Sequence, residues 1–522
     1  MAKRRSTIEP TYQDRAATGI AGLDGILGGG LPRNHIYLID GEPGAGKTTL
    51  GLQFLLEGVS KGEKGLYVTL SESRGELESV ANSHGWDLEG IEIFELASQH
   101  PEEIGSTYTI FHPAEVELQQ TMDAVLKVAE EKNPQRMVFD SLSEMRLLAR
   151  EPLRFRRQIL ALKQFFATRE CTVLLLDDKS APEGDLQLQS LAHGVILLEH
   201  VALEYGSERR RLQVLKVRGL KFRGGYHDFR LATGGLQVYP RILHDAPRED
   251  VDRGLFKSNS KNLDELLGGG VTCGTSMLIT GAAGTGKSVL CTEFARATMA
   301  KGDKVRMYLF DERLTTFVQR SDALDMSVRR QMKSGQLTIR QVEPTDLSPG
   351  EFASEVVRAV IEEGVKLVII DSINGYMQSM PEERLLPIQI HELLSFLSNN
   401  GVTCIMTLVQ HGIFGNPVDE AAEVSYLADT VILMRYFEVQ GSVRQAISVV
   451  KKRSGNHERT IRECNVGEGG LIVGDPLTDF HGVLTGVPQY RGDTAPLMRR
   501  PTDGVAQKRN NPRPSVLRKR RG

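Results

Sequence analysis

The sequence predicts an α/β protein of two tandem P-loop domains, each a mainly parallel sheet flanked by helices, followed by a basic tail. Three observations predict it. Two phosphate-binding loops, GEPGAGKTT (Gly41 to Thr49) and GAAGTGKSV (Gly281 to Val289), both satisfy G-x-x-x-x-G-K-[ST]. Their surroundings repeat with them: GLDGILGGGLP precedes the first loop and NLDELLGGGV the second, and Leu23 and Leu263 stand as far apart as Lys47 and Lys287. A constant offset of that size marks duplication of a whole domain, far longer than a solenoid repeat. Third, short apolar runs alternate with stretches of helical periodicity, the pattern of a parallel sheet wrapped by helices.

In the first lobe, HIYLID (35–40) runs into the P-loop, and the helix from Lys47 carries Leu50, Phe54 and Leu55 on one face. GLYVTL (65–70), RMVFD (136–140), TVLLLD (172–177) and VILLEH (195–200) read as the next buried strands. The second lobe answers with SMLIT, VRMYLF, KLVIID, TCIMTL and TVILMR. Pro240, Pro247 and the charged stretch HDAPREDVDR separate the lobes, which gives a first domain over 1–245 and a second over 246–487. From 488 to 522 proline, glycine and charge displace periodicity, and this tail is expected to be disordered.

With 522 residues, two lobes of this size and a tail account for the chain. The net charge of −3 argues neither for nor against nucleic acid, but the end is basic, closing on RKRR at 518–521. Most such runs are solvated; this one could also dock a protein partner, anionic lipid or nucleic acid. Five scattered cysteines form no C-x-x-C pair and read as reduced thiols. No apolar run approaches a membrane span, and the basic start MAKRRSTIEP has no apolar region after it, so the expected location is the cytoplasm.

The chemistry-bearing residues follow from the loops. Backbone N–H groups of Gly41, Gly44, Ala45, Gly46, Lys47, Thr48 and Thr49 would cradle phosphate, as would those of Gly281, Gly284, Thr285, Gly286, Lys287, Ser288 and Val289. The lysines reach the outer phosphates and the Thr48 and Ser288 hydroxyls suit Mg²⁺. Asp140 and Asp371 each close an apolar strand, in VFDS and VIIDS, the place of a second Mg²⁺-holding carboxylate. Acids that could activate water end the strand after the P-loop helix: Glu72, after Ser71, in VTLSES, and Asp311 with Glu312 in YLFDER. Late in each lobe Lys216 and Arg218, then Lys451 and Arg453, end strand-like runs with both charges on one side. They form either a solvated basic face or fingers that reach a neighbouring subunit's phosphate, which requires a closed ring.

The ordered set LDGILGGGLP, GEPGAGKTT, SE, VFDS, KVRG, repeated as LDELLGGG, GAAGTGKS, DE, IIDS, KKRSGNHERTIRE, resembles the KaiC family of two-lobed RecA-like ATPases and autokinases over roughly 8–490. The resemblance implies two RecA-like domains in a double-ring homohexamer with ATP at every subunit interface. It implies ATP hydrolysis in the first lobe and serine/threonine autophosphorylation in the second, in signalling, stress response or clock-like regulation. It places the catalytic acidic pair on Ser71-Glu72 and Asp311-Glu312, and the phosphoacceptor pair on Ser425-Tyr426 in EVSYLADT, where Tyr replaces the family's Thr; Thr430 is a nearby fallback that the family motif does not favour. It implies regulatory proteins as partners of the second lobe and tail. The competing readings are a RecA-like DNA repair or recombination ATPase, disfavoured because no basic stripe marks either lobe, and a nucleotide-dependent scaffold with little catalysis.

Overall fold

The computed structural model describes residues 14–96, 113–178, 186–202, 208–242, 254–343, 347–378, 386–410, 425–439, 441–483 and 489–490. The interlobe stretch around Pro247 and the tail beyond 490 lie outside these residues. The chain packs as two compact units, one of residues 1–251, 340–368 and 375–402, the other of 252–339, 369–374 and 403–522.

The first sheet has nine strands: β1 (Ile36–Gly41), β2 (Gly65–Thr69), β3 (Ile91–Glu95), β4 (Arg136–Asp140), β5 (Thr172–Asp178), β6 (Gly194–Val201), β7 (Arg209–Val217), β8 (Tyr226–Ala232) and β9 (Gly235–Tyr239). Their order is β9-β8-β7-β6-β1-β5-β4-β2-β3. From β6 to β3 the pairings are parallel, and β7, β8 and β9 add antiparallel strands. Alternation sorts the side chains: Tyr37, Ile39, Val138, Leu174 and Ile196 enter one apolar cluster, while Ile36, Leu38, Phe139, Val173 and Val195 enter another. The runs are apolar throughout because both faces of this sheet are covered. The P-loop helix α1 (Lys47–Ser60) buries Leu50, Phe54 and Leu55 as its periodicity predicts.

The second sheet repeats the plan with β10 (Ser276–Gly281), β11 (Lys304–Leu309), β12 (Leu337–Gln341), β13 (Val365–Asp371), β14 (Thr403–Val409), β15 (Thr430–Val439), β16 (Ser442–Lys452), β17 (Arg462–Gly467) and β18 (Gly470–Pro476). Its order, β12-β11-β13-β14-β10-β15-β16-β17-β18, is the first sheet's order strand for strand. The second P-loop helix, Lys287–Ala300, has the length of α1.

One matched pair behaves differently in the two copies. Gln53 of α1 ties that helix to the β8–β9 turn: its Nε2 donates to the Gly19 carbonyl at 3.0 Å and its Oε1 accepts from the Leu236 N–H at 3.0 Å. The corresponding residue is Glu293, which accepts from the Leu471 N–H. Its Oε2 is buried and has no hydrogen-bond partner among the described residues. Burial pushes the Glu293 carboxyl up to about 7, against the pull of Arg296 and the Leu471 N–H and with a push from Asp264. A folded-state pKa above the ordinary 4.5 means the contribution is complete below 4.5 and is lost as pH rises toward 7. Glu293→Gln is therefore expected to stabilise the second unit by up to about 3 kcal/mol above neutrality, since each tenfold change in proton affinity is worth about 1.4 kcal/mol, and to change little at low pH. Thermal unfolding of both proteins across this pH range checks it; a gain that is constant with pH would refute the titration.

Candidate nucleotide site

Each P-loop follows the central parallel strand, β1 or β10, and leads straight into a helix. Gly44 and Gly46 take φ of 79° and 98°, as Gly284 and Gly286 take 80° and 98°, a region open to glycine at little cost. Gly46 caps α1 with no side-chain hydrogen bond to the first turn, and Gly286 does the same in the second lobe. The free N–H groups and the helix dipole then suit an anion. Ala45 and Thr285 are buried within the loops, and Thr49 and Val289 within the first turns.

Lys47 folds back over its loop, donating to the Gly41 and Glu42 carbonyls at 2.9 Å and pairing with Asp178 at 2.7 Å. Lys287 donates to the Gly281 and Ala282 carbonyls at 2.8 Å. Burial lowers the Lys287 pKa, opposed by the charges of Asp371 and Asp311.

Asp140, at the end of β4, accepts from the Tyr67 hydroxyl at 2.6 Å and from the Thr48 hydroxyl at 3.3 Å. Burial raises its pKa, opposed by Tyr67, Thr48 and Lys47. Asp371 accepts from Thr407. The Thr48–Asp140 pair brings together the two oxygen donors predicted for Mg²⁺. Among the described residues no cluster of three or more Asp, Glu, His or Cys forms a closed metal cage. Mg²⁺ is commonly held through one or two carboxylates and substrate phosphates.

Glu72 lies beyond the end of β2, its N–H bonded to the Thr69 hydroxyl at 2.9 Å. Its Oε2 is buried without a hydrogen-bond partner among the described residues. Burial, then the nearby charge of Asp140, pushes its carboxyl up to about 7, with Lys47 pulling the other way. Glu312 repeats the feature: Oε1 pairs with Arg320 at 2.5 Å, and Oε2 is buried and unpartnered among the described residues. Asp311 is engaged by the Ser372 hydroxyl.

The basic pairs lie elsewhere. Lys216 pairs across β7–β6 with Val195, which sits level with Leu38 of β1. Lys451 pairs with Val431, level with Leu278 of β10. Both sit toward the strand starts, away from their own P-loops at the strand ends. Arg218 donates to the Ser190 carbonyl at 2.6 Å. Lys451 donates to the Ser425 and Ala428 carbonyls at 2.8 Å, and Arg453 to the Tyr426 carbonyl at 2.8 Å. Thus Lys451 and Arg453 clasp the segment carrying Ser425. Tyr426 is exposed, whereas Thr430 is fully buried at the start of β15 and offers no accessible hydroxyl.

Several site residues were not singled out by sequence reasoning. Tyr67 reads as one more apolar residue of GLYVTL, and Thr407 as one more of TCIMTL; only pairing in the sheet sets them against the aspartates. His84 stands 3.4 Å from the Thr49 hydroxyl and 4.9 Å, ring to ring, from Trp86. Asp178 had a visible signal, the second acid of LLLDDK.

A family model described as "ATPase: KaiC" matches residues 16–242 and again 256–478. The chain is 26% identical over 490 residues to the circadian clock protein KaiC3 of Synechocystis, covering 91% of this chain and 95% of the relative. It is 24% identical over 490 residues to the circadian clock oscillator protein KaiC of Picosynechococcus, covering 90% and 92%, and 25% identical over 500 residues to that of Thermostichus vulcanus, covering 92% and 93%. No helix among the described residues is long and apolar enough to cross a membrane. Two matched lobes, each with its P-loop, strand-end aspartate and a half-buried glutamate, and two consecutive matches to one family model make this chain a member of the KaiC ATPase family, built of two tandem RecA-like domains.

Proposed function

We propose that the chain is an ATP-driven ring-forming switch: the first lobe hydrolyses ATP, the second transfers phosphate to Ser425 of a neighbouring copy, and partner proteins read the resulting states in signalling or clock-like regulation. The observation that carries the reading of both lobes as catalytic is the repeated buried glutamate oxygen, Oε2 of Glu72 and of Glu312, unpartnered among the described residues and just past the strand that follows each P-loop helix.

In this reading Lys47 and Lys287 hold the outer phosphates, and Thr48 with Asp140, and Ser288 with Asp371, hold Mg²⁺. When bound, Mg²⁺ offsets charge on the phosphate oxygens. Glu72 Oε2 takes a proton from the attacking water in the first lobe. Glu312 Oε2, with Asp311 held by Ser372, takes the proton of the acceptor hydroxyl in the second. Lys216, Arg218, Lys451 and Arg453 act on the phosphate of the adjoining copy.

The edge geometry supports transfer between copies. The strand that follows Ser425 starts level with Met277, four residues before Gly281, so roughly 13 Å of strand separates that level from its own P-loop. The test is phosphopeptide analysis after incubation with Mg²⁺-ATP. Phosphate is expected on Ser425, and none in the Lys287→Ala protein. Mixing Lys287→Ala with Ser425→Ala chains should restore modification of the Lys287→Ala copies; a mixture that stays without Ser425 phosphate would defeat transfer between copies.

A further inference from the structure

The two P-loop lysines share two carbonyl partners and differ in a third. Lys47 also holds the Asp178 carboxylate at 2.7 Å, in a setting where the lysine side chain is 9% exposed and the aspartate 29%. Sheet register shows what stands at that point in the other copy. β1 and β5 set Asp178 opposite Gly41, and β10 and β14 set Val409 opposite Gly281. A carboxylate in the first lobe is thus an isopropyl group in the second. Among the described residues Lys287 has no ion-pair partner.

Asp178 is itself held in place. The Ser143 hydroxyl donates to its Oδ2 at 2.9 Å, and Ser143 is bonded to Ser141 at 2.6 Å. Burial opposes its ionisation, but Lys47, Ser143 and Arg146 together keep its carboxyl below the usual range, so it is an anion at neutral pH. A terminal phosphate brought to Lys47 meets an anion already fixed there. It must displace that carboxylate or lie beside it, and like charges in a partly dry site repel.

We propose that Asp178 is a positioning residue that competes with the outer phosphates for Lys47, so that the first lobe holds ATP less tightly than the second and releases nucleotide more readily. This rests on the reading of Lys47 as a phosphate holder, and it adds a division of labour that the paired loops alone do not contain: a loosely binding lobe suited to turnover and a tightly binding one suited to retention.

The test uses the full chain with Lys287→Ala, so that the first lobe dominates binding, and titrates a fluorescent ATP analogue in Mg²⁺. Asp178→Asn and Asp178→Val are each expected to tighten ATP binding about tenfold, equivalent to about 1.4 kcal/mol, and to lower KM more than kcat. AMP, which lacks the phosphates Lys47 would reach, should bind unchanged, a split that general loosening of the fold would not produce. The reciprocal Val409→Asp, in a Lys47→Ala chain, should weaken second-lobe ATP binding by a similar factor. Unchanged or weaker ATP binding in both Asp178 variants overturns the proposal; weaker binding that tracks Mg²⁺ would make Asp178 a metal ligand instead. If the Lys47→Ala, Lys287→Ala chain binds ATP like wild type, the phosphate role of the lysines fails first, whatever Asp178 does.

Discussion

Glu72→Gln is expected to lower ATP turnover by the first lobe by roughly 10²–10⁴ while leaving nucleotide binding near the wild-type level. Gln keeps the size and one acceptor of the side chain but cannot take a proton. The effect should be large because the wild-type group is prepared to accept one. Its outer oxygen is buried without a partner among the described residues, and burial with Asp140 nearby lifts its carboxyl to about 7. A base must be ionised to act, so kcat/KM of the first lobe should rise as pH passes upward through about 7 and flatten beyond. The variant should lose that rise. Phosphate release measured beside nucleotide titration, in a chain carrying Glu312→Gln to quiet the second lobe, separates chemistry from binding. Equal rates with and without Glu72 would favour the scaffold reading, in which nucleotide drives assembly and little is hydrolysed.

Arg136→Met should destabilise the first unit by about 3–5 kcal/mol, the range for breaking a buried ion pair from one side. Arg136 opens β4 and is fully buried. It is bonded to Glu63 and donates to the Ala17 carbonyl at 2.6 Å and the Phe54 carbonyl at 2.8 Å, with its guanidinium 4.6 Å from the Phe54 ring centre. One planar group thereby joins β4, α1 and the segment before the P-loop. Gly58 makes the crossing possible, since a Cβ there would lie 2.5 Å from the Arg136 side chain. Met fills similar volume but leaves Glu63 with Arg33 alone and strips two carbonyls of a donor. Denaturant unfolding gives the loss directly; a change within about 0.5 kcal/mol would show the network to be dispensable.

The fold was legible because its signals are local and occur twice. A P-loop needs a preceding strand and a following helix, and the same succession at a constant offset gave both sheets. The central strands read easily, being apolar on both faces. Strand order was not legible, because which buried strands lie side by side depends on crossovers that leave no mark in HIYLID or TVLLLD. Site residues divided the same way. Lys47, Thr48 and Asp140 carry motif signatures, and Glu72 was singled out by its place after β2. Tyr67, Thr407 and Arg136 act through neighbours distant in sequence, and each sits in a run whose composition already had an explanation.

The holders of the two aspartates bear on how these lobes diverged. Asp140 is held from the β2 side by Tyr67, and Asp371 from the β14 side, the opposite neighbour, by Thr407. Met307 stands where Tyr67 does, counted back from Glu312 and Glu72, and Leu176 stands where Thr407 does, since those two face Ile39 and Ile279 in register. The two copies thus share the carboxylate and differ in its keeper. The smallest exchangeable cassette is consequently a pair of strands: grafting β11 alone into the first lobe would leave Asp140 with Thr48 but without the Tyr67 hydroxyl, whereas β11 together with β14 would bring a second hydroxyl back to it.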